Sequence, residues 1–572
     1  MKSKRRGVFS EVSADGVTRR EFLGTTLAGS AALMAGGLSV LVARSTSAAT
    51  GPWVEATIPQ LQSLMNSGAL TSAQLTSNYL NQIASLNPLL HAVIETNPDA
   101  LSTAQDRDRE RRAGKLRGPL HGIPVLVKDN LATKDKMQTT AGSLALVGSK
   151  VPADSVVVSK LRAAGAIILG KANLSEWANF RGNAPFNGWS ARGGFTRDPY
   201  LLSFDPCGSS SGSGAAPAAN MCATAVGTET DGSVVCPSGN NLVFGLKPTL
   251  GLIAQNGIIP IAASQDTAGP MCRSVTDVAI MLNVMKSPFG PVLGNSVPSD
   301  YTQFLKLGSL KGARIGMDSR YFSNAYGGEQ DLVAVANKGI TAMQSLGATV
   351  VPTDTGNPFQ QNFKFYNDEF TVLLYEFKVQ IAQYLAGLSN TTMRTLADLI
   401  AFDIAHCPEE MKYFGQEVFD AAQQTSGNLN DPIYLQARQD NLTFARTNGI
   451  DAAIKRDKLD AIVAPTYSFA SSLPAVAGYP NFSIPVGLTP QGKPAGLWMY
   501  SGFLKEPTLL ALAYDLEQAI KPRTQPAFLG SVPPEPPNAG ICAGLASSTP
   551  KVQLVNGRAQ TTVHFGTGKP LS

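Results

Sequence analysis

Short apolar runs alternate with helix-forming stretches over most of this 572-residue chain, and this alternation restricts the fold more than any other sequence feature. The apolar runs lie at residues 92–94, 123–127, 166–169 and 461–464. Each run is short enough for a buried strand, and helical periodicity appears between them. Strands that alternate with helices predict an α/β fold in which a mixed β-sheet core is flanked by helices on both faces.

Local signals place one helix and one helix-rich region. The sequence TSAQ at residues 71–74 fits a capping box, and apolar side chains then recur on one helical face at Leu75, Tyr79 and Ile83. The stretch from residue 290 to 460 is richer in helical patterns and in charge. We predict that this stretch is a variable, more helical insertion.

The first 49 residues differ from the rest of the chain in charge. They hold seven Lys or Arg and three Asp or Glu, and so carry four of the five net positive charges. Arg19 and Arg20 precede an apolar run at 27–42 and small residues at 47–49, an arrangement that resembles a twin-arginine export signal. The run is diluted by glycine and shorter than the roughly 20 residues of a membrane-spanning helix. We therefore predict that residues 1–49 direct export to a periplasmic or secreted location, without a stable membrane span.

Cysteine and histidine spacing argues against a metal centre. The six cysteines form no C-x-x-C pair, and none of the four histidines stands close to another in the sequence. We predict no metal ion and no other cofactor. Because the twin-arginine route exports folded proteins, the predicted destination leaves open whether the cysteines pair.

A partial phosphate-binding motif occurs at residues 165–171. The sequence GAIILGK matches the first seven positions of a P-loop, but Ala172 stands where a Mg²⁺-binding Ser or Thr belongs. The four residues between the glycines are apolar, which is typical of a buried strand. We therefore predict a strand here and no nucleotide site. After the first 49 residues the chain is nearly neutral in charge, which also disfavours a nucleic-acid partner.

Two polar loops are the main candidates for chemistry. The loop CGSSSGSG at residues 207–214 reads alone as a flexible linker, but an Ala-rich helix former follows at 215–225. The sequence TETDGS at residues 228–233 reads alone as a turn, but it lies between apolar stretches. In a protein interior, this second loop would place consecutive backbone amides beside a serine hydroxyl, as acyl transfer requires.

A serine nucleophile needs a base, and Lys128 is the first candidate. It ends the apolar run at 123–127, so a buried strand would carry its ammonium into the interior, although a lysine at a strand end can also reach the surface. A desolvated lysine beside a hydroxyl is able to accept a proton near neutral pH. His121 is the rival base, but Gly122 and Pro124 suggest that it lies in a turn.

Taken together, the ordered motifs resemble the amidase signature family over residues 57 to 528. The matching stretches are GPLHGIPVLVKDN at 118–130, the loop at 207–214, TETDGS at 228–233, GLKPT at 245–249, QDTAGP at 265–270 and GKPAGL at 492–497. The stretches NLSEWA at 173–178 and GWSARGG at 188–194 look most like the peptide amidase branch.

The resemblance implies a Ser-cisSer-Lys triad. It assigns the nucleophile to Ser233, a bridging serine in a cis peptide to Ser209, and the base to Lys128. The backbone amides of Thr230, Asp231, Gly232 and Ser233 correspond to the family's oxyanion hole.

Three positions depart from the broad family pattern. Cys207 and Ser211 replace glycines in the first loop, and Asp231 replaces the first glycine of the usual Gly-Gly-Ser. Asp231 is open to two interpretations, a plain turn residue or a carboxylate that biases which substrates fit.

The sequence therefore predicts a metal-free amidase whose substrate is a small-molecule or peptide amide, with C-terminal peptide amides preferred. We predict an amidase domain at residues 50–528 and a Pro-rich C-terminal tail at 529–572. The alternatives are a broad aliphatic or aryl amidase and an exported binding protein on an inactive amidase scaffold.

Overall fold

The computed structural model describes residues 50–544, 553–555 and 558–560, so the predicted export signal lies outside the described residues. The strands are β1 Val93–Thr96, β2 Pro124–Lys128, β3 Ile167–Ala172, β4 Trp189–Ser190, β5 Gly194–Phe195, β6 Thr224–Glu229, β7 Phe244–Lys247, β8 Thr267–Cys272, β9 Arg314–Met317, β10 Thr349–Pro352, β11 Ala461–Pro465, β12 Asn481–Leu488, β13 Pro494–Tyr500, β14 Gln553–Val555 and β15 Arg558–Gln560. Two small pairs, β4 with β5 and β14 with β15, stand apart from the main sheet.

The main sheet has eleven strands in the order β1-β3-β2-β6-β8-β7-β12-β13-β11-β9-β10. Strand β2 runs parallel to both neighbours, β3 and β6, and β9 runs parallel to β10 and β11. The other neighbouring pairs are antiparallel. Because β2 and β6 are parallel, their carboxyl ends lie side by side at the same end of both strands. Lys128 and the loop at 228–233 lie at this end.

The described part of the chain also forms helices. They are α1 Ile58–Asn66, α2 Ser72–Leu90, α3 Ala100–Arg112, α4 Val156–Ala163, α5 Ser211–Ala218, α6 Val235–Asn240, α7 Val275–Met285, α8 Gln330–Ser345, α9 Gln360–Ala386, α10 Leu396–Ala405, α11 Cys407–Glu410, α12 Glu417–Gln424, α13 Pro432–Leu442, α14 Asp451–Asp457, α15 Ser472–Ala477, α16 Glu506–Ile520 and α17 Ile541–Gly544. In the described part of the chain, no helix is both long enough and apolar enough to span a membrane.

Both faces of the sheet are buried under helices. Successive side chains of a strand point to opposite faces, and in β11 they enter different hydrophobic cores. Ala461 and Val463 pack in the larger core with side chains of α8 and α16. Ile462 and Ala464 pack in a second core with Leu473 of α15. This arrangement confirms the predicted α/β fold with a mixed sheet between helical layers.

The element bounds agree with the sequence analysis in some places and differ in others. The capping box at Thr71 forms, with Gln74 as its partner. The predicted helix at 215–225 is instead helix α5, which ends at Ala218, followed by β6 from Thr224. Between them Asn220 has a left-handed φ of 54°, and pairing of β6 with β2 and β8 outweighs the helix propensity of its alanine.

The stretch 290–460 holds helices α8 to α14, but it also contributes two strands to the main sheet. Strands β9 and β10 continue the sheet beyond β11 and form one of its edges. This region therefore does more than lie over the core, because it extends the sheet itself.

The Pro-rich tail is attached to the helical layer. The Glu535 carboxylate accepts a hydrogen bond from the Tyr413 hydroxyl at 2.6 Å and pairs with Lys412 at 3.2 Å. Farther along, a disulfide joins Cys542 in α17 to Cys407 in α11. The tail is thus fixed to residues just after α10 by charge and by a covalent bond.

Candidate active site

Lys128 is fully buried at the carboxyl end of β2, and its Nζ atom is surrounded by hydroxyl groups. Nζ donates to the Ser209 hydroxyl at 2.8 Å, to the Ser210 hydroxyl at 2.9 Å and to the Thr228 hydroxyl at 3.0 Å. No Asp or Glu forms an ion pair with Nζ among the described side chains. The sequence analysis found Lys128 and Ser209 but missed Ser210 and Thr228, because either hydroxyl could have faced away from the lysine.

The surroundings of Lys128 favour its neutral form. Burial lowers the pKa of Lys128 from 10.5 to about 7, against the opposing influence of the charges on Asp266 and Glu229. A substantial fraction of the amine is therefore unprotonated near neutral pH, where it is able to accept a proton.

The Ser209 loop is fixed closely against its neighbours. The peptide bond between Gly208 and Ser209 is cis, and the Ser209 carbonyl accepts a hydrogen bond from the Ser175 amide at 3.0 Å. A Cβ atom at position 208 would lie 2.3 Å from the Ser175 hydroxyl and 2.8 Å from the Asn187 side-chain oxygen. Only glycine fits at this position without displacing those side chains.

Ser233 lies in the adjoining loop, between the end of β6 and the start of α6. The Ser210 amide donates to the Ser233 carbonyl at 3.2 Å, which brings the two serine loops together. Ser233 is 7% exposed, and its hydroxyl makes no hydrogen bond with Ser209 among the contacts described. Catalytic hydrogen bonds are often long in structures without substrate and tighten when substrate binds.

The backbone of residues 230–233 resembles a binding site for an oxyanion. None of these four N–H groups donates to another backbone group within the described chain, although the Gly232 N–H faces the Glu229 carboxylate. Gly232 adopts a left-handed φ of 76°, which turns the chain sharply just before Ser233. Such a turn, whose amides are not taken up by backbone carbonyls, is what a developing negative charge on oxygen requires.

The carboxylate of Glu229 holds this loop in place, a feature that the sequence analysis missed. One oxygen accepts hydrogen bonds from the amides of Val234 and Val235 at 2.8 and 3.0 Å. Burial raises the pKa of Glu229, and the positive charge of buried Lys247 and the neighbouring amides, including that of Gly232, oppose that rise. A carboxylate next to the Thr-Asp-Gly-Ser turn was the available signal for this role.

The side chains of Asp231 and Thr230 contact different partners. The Asp231 carboxylate accepts from the Ser472 hydroxyl of α15 at 2.6 Å, and its second oxygen has no hydrogen-bond partner in the described structure. Thr230 donates to Asp266 at 2.6 Å. Burial raises the pKa of Asp231, and raises that of Asp266 to about 7. Asp231 is thus more than a turn residue, because its side chain ties the loop to α15.

His121 is held by a separate group of residues. Its Nε2 atom lies 2.9 Å from the Arg107 carbonyl, and its Nδ1 atom lies 3.8 Å from Glu110. It makes no contact with the described side chains around Lys128. This placement agrees with the structural role expected from the neighbouring glycine and proline.

Two buried cysteines bracket the serine loops. Cys207 and Cys236 form a disulfide with a Cα–Cα distance of 5.8 Å. Cys222 and Cys272 are also buried but remain unpaired. The Cys207–Cys236 pairing was not predicted from the sequence, because the spacing of the six cysteines does not match the patterns typical of disulfide scaffolds.

An apolar pocket opens beside these loops. Its lining includes Thr228 and Thr230 together with Ile258, Ile259 and Ile261. No group of three or more His, Cys, Asp or Glu within the described residues could hold a metal ion. The lining also includes polar side chains, so the pocket offers amide, carboxyl and hydroxyl groups as well as apolar surface to a ligand; these residues are Asn130, Gln255, Asp266 and Gln380.

Comparison with known proteins shows which family this chain resembles. The sequence profile of the Amidase family matches residues 74–510. A probable amidase of Arabidopsis thaliana is 41% identical over 487 residues, covering 83% of this chain and 92% of the relative. One glutamyl-tRNA(Gln) amidotransferase chain, from Methylobacillus flagellatus, is 32% identical over 81% of this chain and 96% of the relative.

A solved structure gives a stronger likeness. The native peptide amidase from Stenotrophomonas maltophilia is 45% identical and has a TM-score of 0.77, with 83% of this chain and 99% of that chain covered. The region that matches the family profile contains every strand of the main sheet, both serine loops and Lys128. The chain therefore belongs to the amidase signature family and is an amide-hydrolysing enzyme.

Proposed function

We propose that the protein deamidates C-terminal peptide amides to the acid and ammonia, with Ser233 as nucleophile, Ser209 as bridging serine and Lys128 as base. The observation that carries this proposal is the contact of 2.8 Å between Lys128 Nζ and the Ser209 hydroxyl in a buried site where the lysine pKa is lowered to about 7. A lysine in that state draws a proton through a hydroxyl rather than forming an ion pair.

In the first half of the reaction, the Ser233 oxygen attacks the amide carbon. Its proton passes to Ser209, while the proton of Ser209 passes to Lys128. The carbonyl oxygen becomes an oxyanion, which the amides of residues 230–233 stabilise. In other hydrolases each such donor contributes roughly 2.7 to 4 kcal/mol to the lowering of the barrier.

In the second half, the same relay runs in reverse. Lys128 returns a proton through Ser209 to the leaving nitrogen. The C–N bond then breaks, ammonia is released, and the acyl group stays bound to Ser233 as an ester. Water then attacks this ester, its proton passes to the relay, and the acid is released as Ser233 regains its proton.

The preference for peptide amides is supported by likeness to one branch of the family. Identity is 45% with the peptide amidase structure and 32% with the amidotransferase relative. A broad aliphatic or aryl amidase is the second candidate. An inactive binding protein is not favoured, because Lys128, Ser209 and Ser233 are all present, with Ser209 and Ser233 in adjoining loops and Lys128 Nζ in contact with the Ser209 hydroxyl.

We also propose that the enzyme works outside the cytoplasm. The twin-arginine pattern of residues 1–49 supports this, and so do the two disulfides, which persist in oxidising compartments.

The Ser233→Ala variant tests the nucleophile. We expect it to abolish ammonia release from a peptide amide while the circular dichroism spectrum stays unchanged. Ser203→Ala, which alters an exposed serine, is the matched control and should keep full activity. Substantial turnover by Ser233→Ala would refute the assignment.

A substrate panel tests the preference. Ammonia release is compared for peptide amides, free amino acid amides and simple aliphatic amides, and we expect the highest kcat/KM for peptide amides. Release from aliphatic amides alone would overturn the peptide preference and leave the amidase assignment intact.

A serine-reactive phosphonate should label the wild type and fail to label Ser233→Ala, whereas an inactive binding protein would not react in either form.

A further inference from the structure

We propose that the Cys207–Cys236 disulfide positions the two catalytic serine loops relative to each other, so that turnover requires its oxidised form. This inference rests on the proposed function, because it concerns the same two serines. The disulfide acts through the loops and does not touch the reacting atoms.

The location of the bridge is the first argument. Cys207 stands two residues before Ser209, and Cys236 stands three residues after Ser233. The covalent loop between the two cysteines spans 29 residues and contains both serines. A movement of either serine loop away from the other therefore stretches the chain segments that the disulfide joins.

The second argument is that, apart from the disulfide, a small number of hydrogen bonds join these two segments in the described structure. The Ser210 amide donates to the Ser233 carbonyl at 3.2 Å, which is a long hydrogen bond. Farther from the serines, the side-chain amides of Asn240 and Asn241 donate across to the carbonyls of Asp205 and Pro206 at 2.8 and 2.9 Å. Among the contacts described between these two segments, the disulfide is the covalent one.

The backbone at Cys207 gives a third argument. Its φ is +53°, in the left-handed region that glycine adopts without cost and other residues disfavour. The broad family pattern has glycine at this position. A cysteine here is unfavourable for the backbone alone, so its bond to Cys236 is the compensating interaction.

Burial does not separate this pair from the other buried cysteines. The Cys207 and Cys236 residues are 0% and 1% exposed. Cys222 and Cys272 are equally buried, yet they remain thiols. Pairing therefore does not follow from burial, and it occurs where the two serine loops meet.

Reduction is a balanced two-electron step. A dithiol reductant is oxidised to its own disulfide, and the S–S bond accepts two electrons and two protons to become two thiols. Because both sulfurs are buried, we expect the native enzyme to react slowly and to react faster in mild denaturant.

The test uses two double variants of the full chain. Cys207→Gly/Cys236→Ala removes the proposed positioning bond, with glycine chosen to suit the left-handed backbone. Cys407→Ala/Cys542→Ala removes the second disulfide, which closes a loop of 135 residues. The chain-entropy account predicts that the longer loop contributes at least as much stability. This control therefore loses as much stability or more without disturbing the serine loops.

The readouts are kcat, KM, the rate of phosphonate labelling and Tm. A misplacement on the order of 1 Å costs roughly 10²-fold in rate, so we expect Cys207→Gly/Cys236→Ala to lose about that much in kcat with KM changed less than about threefold. Cys407→Ala/Cys542→Ala should keep its kcat. The Cys407→Ala/Cys542→Ala variant still contains the Cys207–Cys236 disulfide. Reduction of this disulfide should lower the kcat of that variant, and reoxidation should restore it.

Two results would overturn the proposal. One is full kcat in Cys207→Gly/Cys236→Ala after mass spectrometry confirms that the bridge is gone. The other is an equal loss of kcat in both double variants. Failure of the proposed function is recognised separately, because Ser233→Ala in the oxidised enzyme would then remain active whatever the disulfide does.

Discussion

Two buried lysines on neighbouring strands show how surroundings decide the role of a charged side chain. Lys128 ends β2, and Lys171 lies in β3, which pairs with β2 in parallel. Both are 0% exposed, and burial lowers the pKa of Lys128 to about 7 and that of Lys171 to about 8. Burial alone therefore does not distinguish them.

The register of the strands sends these two side chains to opposite faces of the sheet. Lys171 pairs with Val127, and Lys128 pairs with Ala172, so an offset of one residue separates the lysines. Lys128 meets the hydroxyls of Ser209 and Ser210. Lys171 donates to the Leu131 carbonyl at 2.6 Å and to the Thr139 hydroxyl at 3.0 Å.

The two sets of partner atoms differ in composition. Lys128 Nζ donates to three hydroxyls and, at 3.3 Å, to the Thr228 carbonyl, whereas Lys171 Nζ donates to one hydroxyl and one carbonyl. A hydroxyl both donates and accepts, so it is able to pass a proton on, whereas a carbonyl only accepts. Lys171 also lies 4.0 Å from the buried Asp129 carboxylate. Burial raises the pKa of Asp129, and the positive charge of Lys171 opposes this rise. We infer that Lys128 is a base and that Lys171 is a structural cation, and four experiments test this contrast.

The largest expected effect is on Lys128→Met. General-base catalysis contributes about 10² to 10⁴-fold, so we expect kcat to fall by about 10³-fold. Burying an ammonium costs free energy, and its replacement by an apolar side chain should leave Tm unchanged or raised. Ammonia release and thermal unfolding measure the two effects, with the exposed Lys115→Met as control. A variant that retains activity would return His121 to consideration as the base.

Lys171→Met should instead lower stability and spare catalysis. It leaves Asp129 with less compensation, and breaking a buried pair costs about 3 to 5 kcal/mol. Urea unfolding measures this loss, and kcat of the folded fraction should stay within a few-fold of the wild type. Adding Asp129→Asn should recover part of the stability, because the side chain is then neutral. A loss of kcat as large as that of Lys128→Met would break the contrast.

The pH profile sharpens the same contrast. Lys128 acts only when neutral, so kcat/KM should rise with pH through a pKa of about 7 and level off above it. At one pH unit below the pKa, activity should be about tenfold lower than the plateau. The rise of kcat/KM on the acid side, called the acid limb below, should have the same midpoint in Lys171→Met. A shifted midpoint in Lys171→Met would mean that Lys171 takes part in the proton relay.

The smallest effects are expected from two matched hydroxyl deletions. Thr228→Val and Thr139→Val each remove one hydroxyl that accepts from a buried lysine, and each should cost on the order of 1 kcal/mol of stability. Thr228→Val should also move the acid limb of kcat/KM, and Thr139→Val should not. Equal pH profiles for the two variants would indicate that the hydroxyls around Lys128 do not change its pKa.

The sequence predicted those parts of the site that are local. The apolar run before Lys128 forms a buried strand that ends at the lysine, and residues 165–171 lie in a buried stretch rather than in a phosphate-binding loop. Both outcomes depend only on the order of apolar residues along the chain. The sheet class could be predicted for the same reason.

Features that join distant segments could not be predicted in this way. The Cys207–Cys236 pair and the interaction of Asp231 with Ser472 depend on which loops meet in space. The hydroxyls of Ser210 and Thr228 face Lys128 only because β6 lies beside β2. The early end of α5 also has this origin, since sheet pairing of the next segment overrides its alanine content.

The Cys407–Cys542 disulfide closes a covalent ring that contains β11, β12 and β13. A single proteolytic nick inside that ring, for example at the exposed Asn428 or Asn430, would therefore not divide the molecule. The nicked enzyme would migrate as one species on a non-reducing gel and as two fragments after reduction. At the extracytoplasmic location proposed above, where proteases are common, the enzyme would lose a peptide bond and still keep its sheet in one covalent piece.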